Sequence, residues 1–155
     1  MMDSWHSYPS IYALGHKVVK DILTTPVLVQ EKIDGSQISF GFFLGTDHEP
    51  LRVRSKGAQL NVLAPEKMFV PAVEVIRSLE LREGWTYRAE FLGKPKHNAL
   101  CYDRIPAHHL ILFDINAGHE DYLPYDAVCE EAARLGLEVV PRLHEGMVES
   151  LEMLR

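Results

Sequence analysis

With 155 residues, 46% of them hydrophobic and 25% charged, and a mean hydropathy of −0.09, the chain has the makeup of one compact domain with a sizeable core, not of a disordered or membrane-embedded protein. Lysine and arginine total 16 against 22 aspartates and glutamates, a formal charge of −6, which argues against gripping nucleic acid by overall charge and leaves that role to a local basic patch. No apolar run approaches the ~20 residues of a membrane span, and the start Met1-Met2-Asp3-Ser4-Trp5-His6 lacks the basic and apolar regions of a signal peptide, so a cytoplasmic protein without membrane contact is expected.

Residues 14–23 carry Leu14, Val18, Val19, Ile22 and Leu23 at helical spacing before Thr24-Thr25-Pro26, which predicts an amphipathic helix. Val27 to Glu31 is β-rich. Ser36 to Leu44 alternates polar and apolar before a turn at Gly45-Thr46-Asp47-His48-Glu49-Pro50. Leu51 to Lys56 alternates strictly and, as a strand, places Arg52, Arg54 and Lys56 on one face. A helix is expected within 65–80 through Ala72, Val75, Ile76 and Leu79, broken or started by Pro71. Trp85 to Leu92 and His109 to Ile115 are the clearest later strands. Pro124 to Leu135 reads as a helix stopped at Gly136, Leu137 to Val140 as a short strand, and 148–155 as a last helix.

Early strands with irregularly interspersed helices give α+β with antiparallel sheet, not a regular βαβ alternation. With no repeats, low-complexity stretches or Ser/Gly linkers, residues 1–155 read as one domain. Cys101 and Cys129 fall in no metal-ligand spacing and read as buried thiols of a reducing compartment. His108-His109 lacks a matching ligand pair and reads as structural or surface. All seven lysines lie before position 97.

The chemistry concentrates in four segments, each with a plainer reading when taken singly. Glu31-Lys32-Ile33-Asp34-Gly35-Ser36 joins a lysine to a turn-forming Asp-Gly and could be a hairpin. Arg54-Ser55-Lys56-Gly57 offers cations for phosphates, or is an exposed strand edge. Tyr87-Arg88-Ala89-Glu90-Phe91 sets a carboxylate in a half-apolar strand, where it could simply face solvent. Leu110 to Ile115 ends a buried strand in Phe113-Asp114, or is core before a turn. The stretch 93–104, with Lys94, Lys96, His97 and Arg104, is either a basic loop touching a nucleic-acid backbone or an ordinary solvated loop.

In this order the four segments resemble the ATP-dependent RNA ligase family of covalent nucleotidyltransferases, from Tyr8-Pro9-Ser10-Ile11 to the C-terminus. The resemblance implies the ligase adenylation-domain fold over 1–155, with ATP and Mg2+ or Mn2+ as cofactors and RNA (or DNA) ends as partners. It makes Lys32 the nucleophile that takes AMP from ATP, and gives Glu31 the adenine edge. Asp34 and Gly35 shape the phosphate loop, Arg54 and Lys56 hold ribose and phosphates, Glu90 accepts from the ribose hydroxyls, and Phe113 stacks on adenine. A lysine attacks phosphorus only as the neutral amine, which a bound divalent cation, Arg54 or Lys56, and partial desolvation would favour. The related DNA ligases usually carry arginine where Lys56 stands; lysine lacks the bidentate fork.

Complete members carry two further motifs, a Glu-Gly-hydrophobic-Val segment serving the metal and a Lys-x-Lys segment for the triphosphate. No lysine follows Lys96 to supply the second. Glu145-Gly146-Met147-Val148 resembles the first, but it leads toward an apparent helix where the motif belongs on a strand. The expectation is an adenylation domain lacking its C-terminal part, with the metal residues unknown, completed by another polypeptide, paired as a homodimer through exposed sheet, or kept as a non-catalytic adenine-nucleotide or nucleic-acid binding module.

Overall fold

A computed structural model describes residues 3–45 and 49–154, and Met1, Met2, Thr46, Asp47, His48 and Arg155 lie outside the described residues. Half of the turn expected at 45–50 and the last residue of the expected C-terminal helix therefore fall outside. The chain packs as two compact units: residues up to Tyr8 with Ile33–Val139, and Pro9–Lys32 with residues from Val140 onward.

The larger unit is a six-stranded sheet with two α-helices. In chain order its elements are β2 (Ser36–Phe42), β3 (Leu51–Ser55), β4 (Gln59–Leu60), α1 (Val70–Arg77), β5 (Thr86–Phe91), β6 (Leu110–Asn116), α2 (Tyr125–Leu135) and β7 (Glu138–Val139), in the sheet order β4-β3-β2-β5-β6-β7. Alternation explains the strands. Ile38 and Phe40 of β2, Val53 of β3, Tyr87, Ala89 and Phe91 of β5, and Leu110, Leu112 and Ile115 of β6 all join one buried cluster, which leaves Ser39, Arg54, Arg88 and Glu90 for the opposite face. Phe40 and Tyr87 stack with ring centroids 5.5 Å apart.

Both helices cover the apolar face. Pro71 sits in the first turn of α1, where its missing N–H leaves no bond unmade, and Ala72, Val73 and Ile76 point into the cluster. In α2, Val128 and Ala132 enter the same cluster one turn apart, and the helix ends at Gly136 with φ +74°, a left-handed cap that glycine adopts without a Cβ clash. Glu131 is buried at the base of this helix, paired with Arg82 and Arg134 and facing the Tyr87 hydroxyl. Burial, with Glu131 adding to it, pushes the Tyr87 phenol up to about 12.

The smaller unit contains a two-stranded antiparallel ribbon of β1 (Val27–Gln30) and β8 (Arg142–Gly146), with Val27 opposite Gly146 and a register shift at Gln30. No helix among the described residues is long and apolar enough to cross a membrane.

The fold is α+β as expected, with several corrections. The sheet is mixed: β7 runs parallel to β6 because α2 returns the chain in a β-α-β crossover. Residues 14–23 do not form an amphipathic α-helix. A 3-10 helix spans Lys17–Leu23, Val19 leaves helical geometry at φ −108° and ψ 24°, and none of its residues is buried. Its crowded β-branched residues cost helix propensity, and no packed face offsets that cost. The helix expected at 65–80 is a 3-10 turn at Lys67–Phe69 running into α1, and the one at 148–155 is a 3-10 turn at Leu151–Leu154. Lys56 does not continue the strand face of Arg52 and Arg54; the Ser55 N–H donates to the Ala58 carbonyl and the chain turns into β4. Glu145 and Gly146 end strand β8 and do not lead directly into a helix. Cys101 is exposed and Cys129 half-buried, so neither is a core thiol.

Candidate functional site

The polar face of the larger sheet has a row of side chains set by strand register. Arg54 of β3 pairs with Ser39 of β2, Ser39 with Arg88 of β5, and Arg88 with Asp114 of β6. A bulge adjusts the last step. Arg88 faces Asp114 and Ala89 faces Leu112, so Phe113 is an extra residue on β6 and Phe113 and Asp114 both leave the core face. In the adjacent row Gln37 pairs with Glu90 and Glu90 with Ile111. Three sequence-predicted residues, Arg54, Glu90 and Phe113, thus share this face.

Arg88, which sequence reasoning left without a role, anchors it. The side chain is fully buried, and it donates to Asn116 Oδ1 at 3.1 Å, to Ser39 Oγ at 3.0 Å, and to the His6 and Ser4 carbonyls at 2.7 and 3.2 Å. A buried guanidinium is tolerated only when its donors are matched, and here backbone carbonyls of residues 4–6 supply half the match. The same segment continues along the face: Arg54 donates to Ser7 Oγ at 2.7 Å and the Tyr8 hydroxyl donates to Asp114 Oδ2 at 2.7 Å. The Tyr8 ring meets Phe113 edge-on at 5.0 Å. The alternation Thr86, Arg88, Glu90 against Tyr87, Ala89, Phe91 could have placed Arg88 beside Glu90; nothing in the sequence pointed Tyr8 at Asp114.

Burial raises the Asp114 carboxyl above its ordinary 3.8, while the Tyr8 hydrogen bond and Arg88 oppose the rise. Burial, reinforced by Asp114, likewise raises the Tyr8 phenol and keeps it a donor. A raised native value means that the folded state holds this proton when the unfolded chain has already released it. Asp114 therefore favours folding below 3.8, and that contribution is lost as pH rises through its native value. Asp114→Asn keeps an acceptor for Tyr8 and cannot ionise. Its stability relative to wild type is expected to rise with pH from 3.8 upward, read by urea unfolding across a pH series; a flat difference would contradict the burial assignment.

The Asp34-Gly35 segment is not a hairpin, since β1 and β2 are not partners. Gly35 lies against β5: a Cβ built on it would stand 2.4 Å from the Phe91 carbonyl oxygen and 3.3 Å from Glu90 Oε2. Only glycine permits this approach. The Asp34 carboxylate accepts the Ala99 and Leu100 N–H groups, each at 2.8 Å, which ties it to the 93–104 loop.

The remaining expected residues belong to the smaller unit or to loops of the larger one. Glu31 and Lys32 close the smaller unit, where the Glu31 N–H donates to the Pro141 carbonyl at 3.1 Å and Lys32 is exposed. Lys56 is exposed on the β3–β4 turn, and Lys94 and Lys96 are exposed on their loop. Arg104 forms a forked ion pair with Glu138, at 3.0 and 2.5 Å, and this guanidinium holds the Glu138 carboxyl below its usual value. Arg104 is thus a strut between the loop and β7. The His109 Nδ1–H donates to the Leu92 carbonyl at 3.0 Å, a structural contact. Among the described residues no three His, Cys, Asp or Glu side chains gather as a metal-binding group.

A family model described as RNA ligase matches residues 25–155, from just before β1 through both units. A comparison with curated proteins finds no match.

Proposed function

The chain belongs to the RNA ligase family, and from that premise we propose that it is an ATP-dependent adenylyltransferase of the polynucleotide ligase type acting on RNA ends. The observation that carries the reading is the shared sheet face of Arg54, Glu90 and Phe113, with Gly35 packed against β5 beside Glu90. A cation, a carboxylate and a planar ring are what a nucleotide needs for its phosphates, ribose and base. Stacking on a ring such as Phe113 is worth roughly 1–3 kcal/mol per base, and a carboxylate accepts well from ribose hydroxyls.

In this mechanism the neutral Lys32 amine attacks the α-phosphorus of ATP. The P–N bond forms, the bond to the bridging oxygen of the β-phosphate breaks, pyrophosphate leaves and the amine proton passes to solvent. An RNA 5′-phosphate oxygen then takes the AMP and frees Lys32, and a 3′-hydroxyl displaces AMP to seal the strand. Arg54 and Lys56 hold phosphates, Glu31 reads the adenine edge, Phe113 stacks on the base, and Lys94 and Lys96 meet the RNA backbone. A bound Mg2+ or Mn2+ ion would neutralise charge on the ATP phosphates.

Intact-protein mass after incubation with ATP and Mn2+ tests the reading. Wild type is expected to gain one AMP and Lys32→Ala to gain none. An adduct that persists in Lys32→Ala, or wild type that binds ATP without ever forming one, would overturn it.

A further inference from the structure

Three consecutive residues behind Lys32 are held by one short loop. The Asp34 N–H donates to the Tyr102 hydroxyl at 2.8 Å, and the Asp34 carboxylate accepts the Ala99 and Leu100 N–H groups at 2.8 Å each. Asn98 Nδ2 donates to the Gly35 carbonyl at 2.9 Å, and His97 Nε2 lies 2.8 Å from Ser36 Oγ. The His97 tautomer follows from its other nitrogen: Nδ1 accepts the Gly93 N–H at 3.3 Å, so the proton sits on Nε2 and Ser36 accepts it.

The loop is itself braced. The Tyr102 N–H donates to the Pro95 carbonyl at 2.9 Å, and the His97 ring meets the buried Phe91 edge-on at 5.7 Å. The free ends of a turn between two strands would otherwise leave the Asp34 N–H and the Gly35 carbonyl to solvent and several backbone angles unfixed.

The geometry points to residues 97–102 as a clasp that sets the conformation of the Lys32–Ser36 segment, with Tyr102 and Asn98 as positioning residues for the Lys32 amine. The role of the clasp toward catalysis rests on the proposed function. It acts through the backbone of Asp34 and Gly35, one and two residues beyond Ile33, and touches neither substrate nor reacting atoms. Misplacing a nucleophile by about 1 Å costs up to roughly a hundredfold in rate. The loss should therefore appear in the rate of adduct formation and not in ATP affinity.

Tyr102→Phe removes the acceptor of the Asp34 N–H, and Asn98→Ala removes the donor to the Gly35 carbonyl together with the longer contact of the same amide to Asp34 Oδ1 at 3.5 Å. Each is expected to slow lysyl-AMP formation roughly ten- to hundredfold while the KM for ATP stays within about twofold, and to speed amide exchange at 34–36 without changing exchange in β5 and β6. Variants that label and exchange as wild type does would overturn the clasp. So would a rise in KM with an unchanged rate, which would make the loop a nucleotide contact. Wild type that never labels overturns the proposed function instead, and faster exchange at 34–36 in both variants would still establish the clasp.

Discussion

Arg88→Met is expected to destabilise the larger unit by about 3–5 kcal/mol, because removing one member of a buried polar set leaves the others desolvated and unmatched. The orphaned groups are identifiable. The Ser4 and His6 carbonyls, Asn116 Oδ1 and Ser39 Oγ all lose a donor, and Asp114 loses the cation that opposes the rise in its proton affinity. Methionine matches the length of the stem but returns no hydrogen bond. At about 2–4 °C per kcal/mol for a chain of this size, the melting temperature should fall by roughly 10 °C. Arg88→Lys keeps the charge and loses the fork, so it should lie between the two. Thermal and urea unfolding measure both variants; a Met variant as stable as wild type would show that residues 4–8 do not hold the face in solution.

Gly35→Ala should damage stability and chemistry together. The added methyl would stand 2.4 Å from the Phe91 carbonyl oxygen, a backbone atom fixed by the pairing of Ser36 with Phe91. Relief requires β2 to move off the end of β5, and overpacking of this kind costs about 1–3 kcal/mol. The same movement pulls Gly35 from Asn98 and displaces the segment that carries Lys32, so adduct formation in the mass assay should be lost or reduced by about a hundredfold or more. Unfolding measurements separate the two effects: a variant that melts near wild type yet does not label assigns the loss to geometry.

The larger sheet was legible because period-two alternation is written into Ser36–Leu44, Leu51–Lys56 and Trp85–Leu92, and burial of one face enforces it. The helix at 125–135 was legible for a different reason, since Pro124 and Gly136 mark both of its ends. The segments misread were those whose apolar residues have no packed face. At Lys17–Leu23 helical spacing alone does not hold an α-helix, and β8, with its exposed Arg142, Leu143 and Glu145, has no alternation to announce it and forms by pairing with β1.

By itself the sequence determined an α+β chain with one polar and one apolar sheet face, and the ordered segments around Lys32, Arg54, Glu90 and Phe113 that resemble RNA ligases; the family match over residues 25–155 agrees. Only the tertiary structure decided that Arg54, Ser39, Arg88 and Asp114 form one row, that a bulge turns Phe113 and Asp114 to the same side, and that Tyr8 and Tyr102 reach Asp114 and Asp34 across 106 and 68 residues of chain. The physical reason is range. Alternation and capping act within a few residues, whereas register, bulges and side-chain hydrogen bonds between distant segments are selected by the free energy of the whole packed unit.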